Sequence, residues 1–165
     1  MKTVTNFINN AWIASSSSET IDVENPATLE VIAQVPVGTY EDVNAAIIAA
    51  QSAFQQWRHV PVSQRIQYLF KLKILLGTHR DELAELITLE SGKTFKEAQA
   101  ELVRAIENVE NACGTPTLIQ GSYSEDIATG IDEYMIRQPL GVCACIAPFN
   151  FPGMIPFWFL PYAIA

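Results

Sequence analysis

A chain of 165 residues that is 49% hydrophobic and 17% charged can bury a sizeable core, which excludes a disordered protein. Its net charge of -8 and pI near 4.7 exclude nucleic acid and anionic membrane as natural partners, because either polyanion would repel the surface. Cys113, Cys143 and Cys145 form no C-x-x-C pair, and His59 and His79 have no ligand-spaced partners, so the expectation is no disulfide framework, no metal and a reducing, cytoplasmic setting without a secretory signal.

In chain order, N-F-I-N-N-A-W-I-A (Asn6 to Ala14) alternates apolar residues around Asn9-Asn10, which predicts a hairpin with a two-residue turn. Serines 15 to 18 form a loop. Ile21 to Glu24 predicts a short strand, Asn25 to Thr28 a turn, and Glu30 to Val37 a second strand with Val31, Ala33 and Val35 on one side. Together they predict an antiparallel cap.

Residues 40 to 112 carry helical periodicity. Thr39 with Asp42 reads as a capping box, and Val43, Ile47, Ala50, Phe54 and Trp57 form one stripe up to Arg58. Pro61 ends that helix and Ser63 is the predicted cap of the next, whose stripe Ile66, Leu69, Leu72, Leu76 breaks near Gly77. Thr78 is the next predicted cap, with Leu83, Leu86 and Ile87 continuing to Glu90. Gly92 interrupts, and Thr94 with Glu97 opens a last helix with Ala98, Leu102, Ala105 and Val109 on one face.

After Gly114-Thr115-Pro116 the composition shifts to Gly, Ser and β-formers. Ile127 to Thr129, Gly130 and Glu133 to Gln138 predict a hairpin. Val142 to Ala147, bounded by Gly141 and Pro148, predicts a buried strand of a parallel sheet, with Asn150 in a rigid loop at its carboxyl end, where α/β enzymes place ligands. No charge follows Arg137, but prolines 139, 148, 152, 156 and 161 leave no room for a spanning helix of about 20 residues, so this tail reads as domain interior. It stops at Ile164-Ala165 without a polar cap, as a shortened chain would.

Several residues invite chemistry. Gly92-Lys93-Thr94 resembles the end of a phosphate loop, but the spacing and the preceding leucine-rich helix are wrong, which leaves a helix-to-helix corner. Cys143 and Cys145 share one face of the predicted strand, where burial would make them inert core thiols. Arg104 shares a face with Glu97, Glu101 and Asn108. It reads either as an ion pair with Glu101 at i, i+3 or as a guanidinium fork for a substrate carboxylate. Asn150 reads either as a turn asparagine or as a carboxamide donor to a developing oxyanion.

The segment I-A-P-F-N-F-P (Ile146 to Pro152) resembles the aldehyde dehydrogenase superfamily. So do F-I-N-N-A-W, E-N-P-A-T, A-F-Q-Q-W, E-S-G-K and Y-M-I-R-Q-P-L-G, in the same order along the chain. R-A-I-E-N-V-E (Arg104 to Glu110) and Phe149 resemble its methylmalonate-semialdehyde dehydrogenase group, the acylating branch that uses NAD and coenzyme A. The resemblance implies an α/β fold: the N-terminal portion of the family fold, with antiparallel hairpins, several helices and the first strand of the parallel NAD-binding sheet. Residues 1–165 would be a partial NAD-binding domain with an oligomerisation-type hairpin near 122–140 and no catalytic domain. It implies Asn150 as oxyanion donor, Arg104 as substrate clamp, and Ile146, Ala147 and Phe149 as NAD contacts, with a small aldehyde as substrate and a homo-oligomer as the complete assembly. The family's nucleophilic cysteine, its glutamate base and its K-P-S-E segment have no match in the chain, and none of the three cysteines stands at the nucleophile's position. The chain alone is therefore expected to be inactive. A non-catalytic interaction module and an unstable remnant are the competing expectations.

Overall fold

The computed structural model describes residues 2–165. Five short strands open it: β1 (Lys2–Thr3), β2 (Asn6–Ile8), β3 (Ala11–Ile13), β4 (Thr20–Glu24) and β5 (Val31–Pro36). Asn9 and Asn10 adopt φ of 51° and 61°, left-handed values that asparagine tolerates, and so close β2 onto β3 with Phe7 opposite Trp12. β4 and β5 pair antiparallel through a turn in which the Asn25 carboxamide oxygen accepts from the Ala27 N–H at 2.9 Å. The periodicity gave no sign of β1, which lies parallel on the other edge of β5 and makes this sheet mixed.

Four long helices follow: α1 (Tyr40–Trp57), α2 (Val62–Thr78), α3 (Arg80–Ser91) and α4 (Phe95–Ala112). Both predicted capping boxes form, Thr39 with Asp42 and Thr94 with Glu97. The two weaker caps do not. Pro61 occupies the cap position of α2, because its fixed φ suits a helix start and moves Ser63 into the first turn. Gly77 is carried inside α2, and the Thr78 hydroxyl donates back to the Ile74 carbonyl at 3.0 Å, which leaves His79 between α2 and α3. The apolar stripe of α1 also differs from expectation: Val43 and Ile47 are exposed and no α1 residue is fully buried.

The core centres on α4. Ala98, Leu102, Ala105, Val109 and Ala112 are buried along its length, facing Ile66, Leu69 and Leu76 of α2 and Ala84 and Ile87 of α3. Alanine at three of these five positions lets the neighbouring helices approach closely, and Lys73 of α2 pairs with Glu110 of α4 at 2.8 Å.

Beyond α4 come a helical turn, α5 (Thr115–Leu118), the hairpin β6 (Ser122–Ala128) and β7 (Ile131–Met135), and a terminal helix, α6 (Pro156–Ile164). The hairpin turns at Gly130, φ 70°, as its sequence predicts, but it starts earlier and ends earlier. α6 was not foreseen. It tolerates Pro161 and docks on α4 through Asn108, whose carboxamide donates to the Phe157 carbonyl at 2.6 Å. Among the described residues no helix is long and apolar enough to cross a membrane.

Residues 142–147 correct the expectation of a buried strand. They enter no ladder among the described residues, and Cys143 and Cys145 are exposed rather than core. A strand exists only by pairing, and among the described residues no other strand runs beside this segment to satisfy its backbone.

The serine loop is tied to the start of α1. The Ser15 hydroxyl and the Ser16 and Thr39 N–H groups all donate to the Asp42 carboxylate, and these bonds pull its carboxyl down to about 2 from the ordinary 3.8. Hydrogen bonds lower Asp81, Glu97 and Asp132 in the same direction. A carboxyl depressed in the folded state contributes stability that is present above its unfolded value and lost as pH falls through its folded one. Urea unfolding should therefore show stability falling between about pH 4 and pH 2. Asp42→Asn should make that fall shallower, and identical pH slopes for the two proteins would count against the assignment.

Candidate functional site

The site is built on the corner between α3 and α4. α3 ends at Gly92, which takes φ 71° and donates its N–H to the Thr88 carbonyl at 3.0 Å. This is the left-handed reversal for which glycine is the usual residue, and a Cβ there would meet Pro26 Cγ at 3.0 Å. The reversal sends the next residue, Lys93, back over α4. Its ammonium then lies 2.5 Å from Glu101 Oε2, 2.5 Å from the Asn150 carbonyl oxygen and 4.2 Å from the centre of the Phe151 ring.

Glu101 is 4% exposed, in the midst of the buried stripe of α4. While Oε2 receives Lys93, Oε1 accepts the Gly153 N–H at 2.7 Å and the Met154 N–H at 3.1 Å. One carboxylate thus binds two consecutive amides of the loop that carries Asn150. Gly153 has to be small there, since a Cβ would come within 2.5 Å of Ile87 Cδ1 and 3.3 Å of Glu101 Oε1.

Each residue nominated from sequence has a definite place. Asn150 sits in a turn with its side chain exposed, while its carbonyl is held by Lys93. Arg104 does not pair with Glu101. That carboxylate is directed inward, and the guanidinium instead reaches Glu107 at 3.0 Å on the exposed face of α4. Arg104, Asn108, Phe151, Met154 and Trp158 line a common cleft of about 480 Å³. Ile146 and Phe149 stand 92% and 96% exposed with Ala147 half-buried between them, so this segment presents open backbone and apolar side chains. Cys113 is buried, donates to the Val109 carbonyl at 3.3 Å, and has its thiol pushed up by desolvation. No cluster suited to a metal occurs among the described residues.

Lys93 and Glu101 are the residues that sequence reasoning missed. The signal was present: Glu101 falls three residues after Ala98 and four before Ala105, inside the core stripe, and a carboxylate in such a register demands buried partners.

The sequence profile described as "Aldehyde dehydrogenase family" matches residues 12–165, and the chain belongs to that family. Over 164 residues it is 52% identical to malonate-semialdehyde dehydrogenase 2 of Geobacillus thermodenitrificans, covering 99% of this chain and 34% of that protein. The corresponding Oceanobacillus iheyensis enzyme is 52% identical over 165 residues, again with 34% of its length covered. Among solved structures, the methylmalonate-semialdehyde dehydrogenase of Oceanimonas doudoroffii superimposes with a TM-score of 0.94 at 43% identity, over 99% of this chain and 33% of that one. A Sinorhizobium meliloti protein assigned to the same activity and complexed with NAD gives 0.93 at 37% identity, over 98% of this chain and 33% of that one. The chain therefore spans about a third of the length of these relatives and has the α/β fold of the family's N-terminal part.

The crowding at Gly153 is directly testable. Gly153→Ala should cost about 1 to 3 kcal/mol in urea unfolding, toward the lower end because the obstructing atom is a side-chain tip. An unchanged midpoint would show that the loop does not pack as closely on α3 and α4 as described.

Proposed function

We propose that the chain is the front portion of an NAD-dependent aldehyde dehydrogenase whose complete form oxidises malonate or methylmalonate semialdehyde to an acyl-CoA. Asn150 serves as oxyanion donor and Arg104 as the clamp for the substrate carboxylate. The observation that carries this reading is that Arg104 and Phe151, the residue next to Asn150, line one cleft. A semialdehyde of this class has a carboxylate at one end and a reacting carbonyl at the other. It needs a fixed cation and a fixed oxyanion donor at the two ends of one site. The Arg104–Glu107 pair is an exposed i, i+3 contact worth only a few tenths of a kcal/mol, so a bidentate substrate carboxylate can displace it. Met154 and Trp158 give the cleft an apolar wall.

Ile146, Ala147 and Phe149 would line the NAD site, a role supported by the exposure of their segment, which leaves it open to a ligand. NAD held there would supply the hydride acceptor, and coenzyme A, as co-substrate, the acceptor for the acyl group. None of the chain's three cysteines is assigned as nucleophile. Residues 1–165 thus form part of an NAD-binding domain, and the catalytic domain, with its cysteine and glutamate, lies in the remainder of the family fold. The β6–β7 hairpin, exposed along its length, is assigned to contacts between copies of the complete enzyme. The free exposed thiols of Cys143 and Cys145 suit a cytoplasmic setting.

The test is an in-frame fusion to the downstream portion of the Geobacillus thermodenitrificans relative, assayed for NADH formation with malonate semialdehyde, NAD and coenzyme A. The fusion should turn over and the 165-residue chain alone should not. In the fusion, Asn150→Ala should lower kcat by about 10²- to 10³-fold. Arg104→Ala should raise KM for the carboxylated aldehyde and spare propanal. Turnover by the chain alone would overturn the incomplete-site reading, and equal effects of Arg104→Ala on both aldehydes would overturn the clamp. The exposed Leu140, Ile146 and Phe149 also favour a second reading, a non-catalytic module that docks on a complete dehydrogenase. Co-purification with a full-length homologue, together with an inactive fusion, would select it.

A further inference from the structure

We infer that Lys93 and Glu101 are positioning residues for the Asn150 loop: together they set where the proposed oxyanion donor stands, without touching the substrate. The inference rests on the assignment of Asn150 made above, but its geometry is independent of it. Glu101 grips the loop on the C-terminal side of Asn150 through the Gly153 and Met154 amides. Lys93 grips it at Asn150 itself, through the carbonyl of that residue, and covers the Phe151 ring. The two grips share one ion pair, Lys93 Nζ to Glu101 Oε2, with side-chain exposures of only 22% and 1%. The loop is thereby fastened at both ends of the Asn150–Met154 segment to a single charged pair seated between α3 and α4.

The chemistry of the pair explains why neutral substitutes would not serve. A carboxylate has acceptor capacity for two amides and an ammonium at once, whereas a carboxamide in its place would offer one oxygen to the amides and turn an N–H₂ group toward the ammonium. The ammonium donates three ways from one point, which lets it meet a carboxylate and a carbonyl that converge from different elements. Arg104 stands on α4, outside the loop, so a misplaced carboxamide at Asn150 leaves the carboxylate clamp in place even where Phe151 and Met154 shift, and the larger consequence falls on the chemical step.

Two measurements decide the matter. In the 165-residue chain, hydrogen exchange of the Gly153 and Met154 amides should accelerate about tenfold or more in Glu101→Gln, as expected for loss of a charged acceptor. Lys73→Met, which breaks the ion pair between α2 and Glu110 of α4, should leave those amides unchanged. In the fusion described above, Glu101→Gln and Lys93→Met should each lower kcat by about ten- to a hundredfold, with a markedly smaller rise in KM for the aldehyde. Lys93→Arg should recover part of the loss, because a guanidinium can bridge the same two oxygens. Unchanged exchange in Glu101→Gln overturns the inference whatever the fusion does. So does an active fusion whose kcat neither variant lowers, or a kcat that Lys73→Met lowers equally. A wild-type fusion that fails to turn over overturns the dehydrogenase reading instead, and the exchange measurement then decides the positioning role by itself.

Discussion

A carboxylate enclosed by apolar helices is a constraint that its surroundings must satisfy. Glu101 meets that demand with one ammonium from the α3–α4 corner and two consecutive backbone amides from the turn after Asn150. Removing one partner from such a group leaves a buried charge uncompensated, typically at a cost of about 3 to 5 kcal/mol, whereas a surface pair such as Arg104–Glu107 is nearly free to break. This contrast separates the two kinds of charge on α4. The inward carboxylate belongs to the architecture, and the outward guanidinium remains available to a ligand.

The rest of the fold can be understood as what brings those partners within reach. Alanines at 98, 105 and 112 lower the height of the α4 surface so that α2 and α3 settle close to it. Gly92 turns the chain sharply enough that Lys93, two positions after the end of α3, faces back across α4. α6, held through Asn108 and through the Trp57 indole, which donates to the Ile164 carbonyl at 2.8 Å, closes the far side and keeps the 151–155 turn against the helices.

Elements with strong local signals were legible in the sequence. The Asn9-Asn10 turn, the two capping boxes and the α4 stripe each rest on interactions within a few residues, and each formed as read. Those that depend on partners distant in the chain were not. Val142 to Ala147 has the composition of a strand, but composition cannot supply a neighbour to pair with, and without one Cys143 and Cys145 face solvent. Ser63 lost its cap to Pro61 because a fixed φ outweighed a side-chain bond. Arg104 and Glu101 looked like partners by spacing, yet the register that put Glu101 in the core stripe also took it out of Arg104's reach. At the site, Asn150 and Arg104 were nominated before any contact was known, while Lys93, met as a false phosphate-loop lysine, showed its place only once α3 and α4 were folded against each other.

The unpaired stretch 142–147 and the tightly fastened loop that follows it differ in a way that bears on the order of assembly. The loop draws its anchorage from helices that fold around mostly local contacts, while the stretch before it pairs with no strand among the described residues. The turn that carries Asn150 can then take up its position on the helices whether or not the stretch before it is ordered.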